Sequence, residues 1–440
     1  MTDFVQGPCT VSPARVFAFA DYNVDGSFHE NSEIYHNRAY SYDEDRTWVE
    51  NMANGLPERG RNLPPCERCW APQDKWVTFL NHKLASPLGV AAGPLLSSQW
   101  VRLAASRGFD CMTYKTIRSH YHPGHGLPNI IHLQVDEQLP VSGPACKGPL
   151  YARDRLPGSG VGLHDLKPGA SMGIRGDGLG GGSSGMLAIT NSFGMPSLGP
   201  EQLAEDLPAA AAALNPGQMM VVSITGTPGR PGLSFQEDLV LAARTALAGG
   251  ATALEVNLSC PNVGASHVAL YQDAPAVEAL LAGLIEEVGR KVPLVIKMGS
   301  FPDCDGMRRV LQAAGRTGVG AVSGINGISR RVELPGGAGP ALGPDRPTSG
   351  VCGDPIRAAG LEFVTRARQI IAAEDLGLEL VGVGGVTQAN HVMEYLQAGA
   401  DIVQTATGFM WRPNLGIDFQ RLWASSGYSV QRADGRGGRG

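Results

Sequence analysis

The stretch LEVNLSCPN, residues 254–262, begins as an apolar run and then presents Asn257, Ser259, Cys260 and Asn262 where that run ends. A thiol takes up a proton only when its surroundings favour the thiolate, which is why reactive cysteines sit in partly exposed, polar settings. A carboxamide offers a donor and an acceptor in fixed geometry without carrying a charge. Two of them around a thiol suit a small, flat ring that hydrogen-bonds in both senses. Other polar residues stand at the ends of apolar runs in the same way: Lys115 in CMTYKT, Lys297 in LVIKM, Asn326 in AVSGIN, and Asn191 at the head of NSFGMPS. Gly384, Gly385, Ala406 and Thr407 close two further runs, and residues this small let backbone N–H groups approach a phosphate. Each residue alone has a plainer reading, since a strand-end cysteine is usually a small hydrophobe and an asparagine beside glycine or proline usually forms a turn. The weight lies in their occurring together.

The elements that must position them are eight apolar, β-rich runs: LGVAAG (88–93), CMTYKT (111–116), MVVSIT (220–225), ALEVNLS (253–259), LVIKM (294–298), AVSGIN (321–326), LVGVGG (380–385) and IVQTAT (402–407). Stretches with helical spacing fall between them at 97–107, 200–213, 236–249, 275–290, 305–316, 356–374 and 388–398, and another follows at 416–425. Continuous apolar strands separated by such helices imply parallel strands covered by helices. Eight units are the number that closes a (β/α)8 TIM barrel, the α/β fold expected here. A doubly wound open sheet is the alternative, although no G-x-G-x-x-G follows the first strand. In a barrel, chemistry collects at the C-terminal strand ends, and phosphate sites commonly follow the last two strands. The residues above fall on that rim.

With 440 residues, 43% hydrophobic and 18% charged, the chain accommodates one large α/β domain plus decorations. A net charge of −5 supplies no basic field for nucleic acid or an anionic membrane. No apolar run approaches the ~20 residues of a membrane span, and the N-terminus lacks the basic-then-apolar layout of a signal peptide, so a cytoplasmic protein is expected. The eight cysteines (9, 66, 69, 111, 146, 260, 304 and 352) are scattered, which makes reduced thiols the default. Cys111, Cys146, Cys304 and Cys352 read as small buried hydrophobes.

Five motifs carry a family resemblance in order: TYKT, ITNSFGMPS, NLSCPN, VIKMG with INGISR, and GVGGV with VQTATG. On these, the stretch from about Ala85 to Pro413 resembles the dihydroorotate dehydrogenase family of FMN-containing barrels. NLSCPN is highly specific, and a close form occurs in dihydropyrimidine dehydrogenases. NLSCPNVGASHVALYQD, with HPGHGLPNIIHL and NSFGMPSLG, is more similar to the soluble class with a cysteine base, most like class 1A, than to the membrane-bound class with a serine base.

The resemblance implies FMN as cofactor and the oxidation of dihydroorotate to orotate in pyrimidine biosynthesis. Cys260 matches the base that takes the C5 proton while hydride leaves C6 for flavin N5, and Lys115 lies near both substrate and flavin in the family. Substrate contacts are implied for Asn191, Asn257, Asn262 and Asn326, and for the backbone of Gly194 and Met195. Lys297 matches the lysine beside flavin N1 and O2, where a cation stabilises the anionic reduced flavin. Lys115, Asn257, Gly353, Gly384, Gly385, Ala406 and Thr407 complete the implied cofactor set, with no metal. Fumarate is the implied electron acceptor and a homodimer the implied assembly. Gly327 stands where relatives often carry serine or threonine, Phe193 where they often carry methionine, and Ala406 where glycine is usual. Two other readings stay open: a flavin oxidoreductase acting on another dihydropyrimidine or cyclic amide, and a flavin-binding barrel without turnover.

The division expected is an N-terminal extension (1–83), the barrel (84–425) with an insertion at about 136–187, and a disordered tail (426–440). The insertion ends in GIRGDGLGGGSSG and returns directly to Asn191, which suggests a lid over the barrel mouth. In the extension, DYNVDG (21–26) opens like a calcium loop, but Ser32 occupies the twelfth position and Glu33 comes one residue late. CERC (66–69) has the spacing of half a zinc site without a second pair. The aromatic residues Phe17, Phe19, Tyr22, Trp48 and Trp70 point instead to packing on the barrel or on a second subunit. The tail RADGRGGRG reads as solvated.

Overall fold

The computed structural model describes residues 38–141, 148–153, 186–259, 269–290 and 292–427. The chain enters through two short helices, α1 (Trp48–Asn54) and α2 (Glu58–Arg61), and an antiparallel hairpin of β1 (Val77–Phe79) and β2 (His82–Leu84). A capping box starts α1: Thr47 Oγ1 accepts from the Glu50 N–H, and the Glu50 carboxylate accepts from the Thr47 N–H. The strands then run β3 (Leu88–Val90), β4 (Cys111–Ile117), β5 (Leu133–Gln134), β6 (Leu150–Ala152), β7 (Ala188–Asn191), β8 (Met219–Ile224), β9 (Ala253–Asn257), β10 (Leu294–Met298), β11 (Ala321–Gly324), β12 (Ile328–Glu333), β13 (Thr348–Gly353), β14 (Glu379–Val383) and β15 (Ile402–Thr405). The helices between and after them are α3 (Ser98–Ser106), α4 (Pro200–Ala211), α5 (Phe235–Ala248), α6 (Ala274–Val288), α7 (Cys304–Thr317), α8 (Arg357–Ala373), α9 (Ala389–Gln397), α10 (Thr407–Trp411) and α11 (Leu415–Ser425).

Eight parallel strands close into a barrel in the order β3, β4, β8, β9, β10, β11, β14, β15. This is the (β/α)8 barrel expected from the eight alternating units. The strands are buried on both faces, towards the lumen and towards the helices, so β4, β8 and β10 are covered along their whole length. The β1–β2 turn sits at the N-terminal strand ends, where the Leu80 N–H donates to Glu379 Oε2 at 2.7 Å.

Several strands stop short of the lengths expected from sequence, because their last apolar-looking residues belong to the rim. β9 ends at Asn257, whose Oδ1 accepts from the Ser259 N–H at 3.1 Å and turns the chain. β14 ends before Gly384 (φ +129°) and Gly385 (φ +66°), which leave extended geometry altogether.

A second sheet, in the order β5, β6, β12, β13, β7, was not expected. β12 and β13 emerge between β11 and α8, and β5 to β7 between β4 and α4, so the sheet belongs to the C-terminal rim. The N-terminal segment also reaches that rim: the Tyr40 N–H donates to the carbonyl of Met410 in α10 at 2.7 Å, and Trp48 is buried. Further on, Cys66 Sγ accepts from Arg107 at 3.0 Å, and Arg68 pairs with Asp110 while lying over the Trp70 ring. Trp70 itself is exposed. Phe17, Phe19, Tyr22, the DYNVDG loop, most of the insertion and the tail beyond Gly427 lie outside the described residues.

Candidate active site

Asn257 is the hub of the barrel mouth. Its Nδ2 donates to Thr116 Oγ1 at 3.4 Å and approaches Met195 Sδ at 3.8 Å. Its Oδ1 accepts from the Ser259 N–H, from Ser259 Oγ at 2.5 Å and from Asn326 Nδ2 at 3.5 Å. The strand ladder explains the meeting: Lys297 is in register with Asn257 across β9–β10, and the Asn326 N–H donates to the Met298 carbonyl at 3.0 Å. Thr116 Oγ1 continues the network to Ser223 Oγ on β8 at 2.9 Å. Ser223 and Thr116 escaped the sequence reading; a hydroxyl inside the otherwise apolar run MVVSIT was the available signal.

Two buried lysines stand beside this hub. Lys115 on β4 is 6% exposed and Lys297 on β10 is 3% exposed, and among the described residues neither pairs with a carboxylate. Lys115 Nζ makes a long contact, 3.5 Å, to the Thr116 carbonyl and lies 5.7 Å from the centre of the Trp48 ring. Burial drives Lys115 down from 10.5 to about 7, with the Arg118 guanidinium pushing the same way. Burial pushes the Cys352 thiol up to about 11 against the pull of Lys297, so it stands as a neutral thiol. Cys111 is held at about 12 for the same reason.

The NSFGMPS loop is braced against the segment after β4. Arg118 Nε donates to the Met195 carbonyl at 3.0 Å, His122 and Ser197 exchange backbone bonds, and the His125 N–H donates to the Phe193 carbonyl at 2.8 Å. Gly194 (φ +73°) faces the His125 ring, where a Cβ would come within 2.6 Å of it. Met195 holds φ +50°, a conformation that a non-glycine residue adopts only where its surroundings impose it. Asn191, exposed at the end of β7, pairs with Gly350 of β13. Gly350 in turn lies against Gly327, where a Cβ would stand 2.9 Å from the Val351 carbonyl and 3.1 Å from Cys352 Sγ. Local packing thus accounts for glycine at 327.

Gly384, Gly385, Ala406 and Thr407 come together because Val383 and Gln404 are in register. A Cβ on Gly385 would stand 2.6 Å from the Arg357 nitrogen, and Tyr395 Oη donates to the Gly384 carbonyl at 2.5 Å. Gly353 has a more local reason: at φ +97°, its Cβ would collide with the Leu187 carbonyl oxygen. Cys260 and Asn262 lie outside the described residues, one and three positions beyond Ser259. Among the described residues no group of three or more His, Cys, Asp or Glu side chains is arranged to hold a metal, and no helix is long and apolar enough to cross a membrane.

Fold and site together define a (β/α)8 barrel whose mouth offers two buried cations and a bonded pair of carboxamides. A family model described as dihydroorotate dehydrogenase matches residues 183–416. The dihydroorotate dehydrogenase of Dictyostelium discoideum is 40% identical over 387 residues, covering 86% of this chain and 95% of that protein. The catalytic subunit of dihydroorotate dehydrogenase B (NAD(+)) from Desulforudis audaxviator is 30% identical over 226 residues, 51% of this chain and 67% of its own length. Dihydroorotate dehydrogenase A (fumarate) from Limosilactobacillus reuteri is 28% identical over 176 residues, covering 39% and 53%. The chain belongs to the dihydroorotate dehydrogenase family.

Proposed function

We propose that this protein is an FMN-dependent enzyme that oxidises dihydroorotate to orotate in pyrimidine biosynthesis. One observation carries the reading: Lys115 and Lys297 are buried at the barrel mouth, without carboxylate partners among the described residues, beside the Asn257–Asn326 pair. A buried, unpaired cation is costly unless a ligand supplies the missing negative charge. The residues present fit FMN. Lys297 would lie against the pyrimidine edge of the flavin, and the small residues Gly384, Gly385, Ala406 and Thr407 would admit its phosphate. FMN, when bound, accepts the two electrons that leave the substrate ring as hydride.

The chain's own groups do the rest. Asn191, Asn257, Asn262 and Asn326 hold the ring through paired donors and acceptors, and desolvation at the mouth strengthens each bond. The backbone of Gly194 and Met195 takes the carboxylate, and Lys115 stands near both substrate and flavin. Cys260 removes the proton from C5, and its neighbour in sequence, Ser259, is tied by two hydrogen bonds to Asn257 Oδ1. The same proposal takes fumarate as the electron acceptor, a homodimer as the assembly and the cytoplasm as the location.

Anaerobic mixing with dihydroorotate should bleach the flavin absorbance of the purified protein. Cys260→Ala should keep FMN and lose fast bleaching. Bleaching by dihydrouracil but not by dihydroorotate, or a protein that takes up no FMN, refutes the proposal.

A further inference from the structure

We propose that the N-terminal segment forms a wall of the active site and that Trp48 is a positioning residue for Lys115, shielding its ammonium group from water and holding it towards the bound ligand. The inference rests on the functional reading above, in which Lys115 faces substrate and flavin. Trp48 opens α1, is 1% exposed, and has its ring centre 5.7 Å from Lys115 Nζ. A (β/α)8 barrel ordinarily draws its chemistry from its own strand ends. Here a ring from outside the barrel closes over one of them.

The segment is fastened at several points. Besides the Tyr40–Met410 bond, Trp100 Nε1 donates to the Ser41 carbonyl at 2.6 Å, and the buried Glu44 carboxylate accepts from the Ala39 N–H at 2.9 Å and meets His132 Nε2 at 3.2 Å. The Tyr42 ring stands edge-on to Phe193, centre to centre 5.2 Å, within the loop that carries Asn191, Gly194 and Met195. The same short segment therefore touches Lys115 and the substrate loop. Among the described residues Trp48 Nε1 is buried without a hydrogen-bond acceptor.

Among the described residues few charges compete for control of Lys115. Arg118 on the same side disfavours its charge, and His122 lies within electrostatic reach. The adjoining strands β3 and β8 carry no ionisable side chain, Arg102 of α3 is exposed, and Glu50 of α1 is turned to its own cap. At 5.7 Å the attraction of the ring for a cation is near its outer limit of about 6 Å. Exclusion of water by the ring therefore outweighs that attraction, in keeping with the lowered Lys115 value of about 7.

The test follows orotate affinity of the FMN-loaded protein, read from flavin absorbance, between about pH 5.5 and about pH 9.5. The wild type should show a break in this range that Lys115→Arg removes, because arginine stays charged throughout. Trp48→Leu should keep FMN and move the break upward by about one pH unit or more, while Trp48→Phe leaves it in place. Should Trp48→Leu fail to take up FMN, Trp48→Val, which likewise leaves room for water beside Lys115, carries the same expectation. A break that does not move when the ring is removed overturns the inference alone. A wild type without FMN or orotate response overturns the functional reading and this inference with it.

Discussion

Replacing Lys115 by methionine should make the flavin-free protein more stable, and by an amount that depends on pH. The fall of the Lys115 value from 10.5 to about 7 corresponds to an upper limit of about 5 kcal/mol for carrying that charge in the folded state. The unfolded chain holds its lysine proton up to 10.5, whereas the folded chain releases it near 7. Between those values the unfolded state binds more protons, so wild-type stability rises with pH. The cost is fully present below pH 7 and gone above 10.5. Methionine has no such cost, so Lys115→Met should be the more stable protein by up to about 4 to 5 kcal/mol at pH 6, and the gap should narrow by about 3 kcal/mol on going to pH 9. Urea unfolding of both flavin-free proteins, followed by intrinsic fluorescence across that range, measures it. A gap that stays constant with pH, or a methionine variant less stable than wild type at pH 6, refutes the view of Lys115 as an uncompensated buried cation.

Asn257→Ala removes the hub shared by Thr116, Met195, Ser259 and Asn326 and should weaken orotate binding about 10- to 100-fold, as titration of the flavin absorbance would show; an unchanged affinity would exclude Asn257 from substrate binding. Gly353→Ala combines a collision with the Leu187 carbonyl and an unfavourable φ, and should lower unfolding free energy by about 3 kcal/mol in a denaturant titration. A variant as stable as wild type would mean that β7 and β13 move apart at little cost.

The barrel was legible because a strand buried on both faces has no polar alternation to confuse it with a loop, and because helix starts are written locally. Ser234 and Glu237, for example, spell the capping box that opens α5. The polar rim was legible as a set of residue types, since Lys115, Asn257, Lys297 and Asn326 all end apolar runs. The rim sheet was not. β13 reads TSGVCG, in which two glycines dilute the strand preference of Thr348 and Val351, and pairing with β12 and β7 on either side holds it extended. β12, ISRRVE, does alternate buried and exposed residues, a two-residue period that was readable in a stretch given no element between the sixth strand and the helix expected at 356–374. The place of Trp48 was not readable either, because an aromatic residue 67 positions before Lys115 carries no mark of its spatial neighbour.

The rim sheet has a consequence for how this chain can vary. The stretch that departs after Ala152 in β6 comes back at Ala188 in β7, and both of those strands are stitched into one sheet by β12 and β13. The two tether points are thus fixed by partners far along the sequence. Residues can be gained or lost between them over evolutionary time while Asn191 keeps its alignment opposite Gly350.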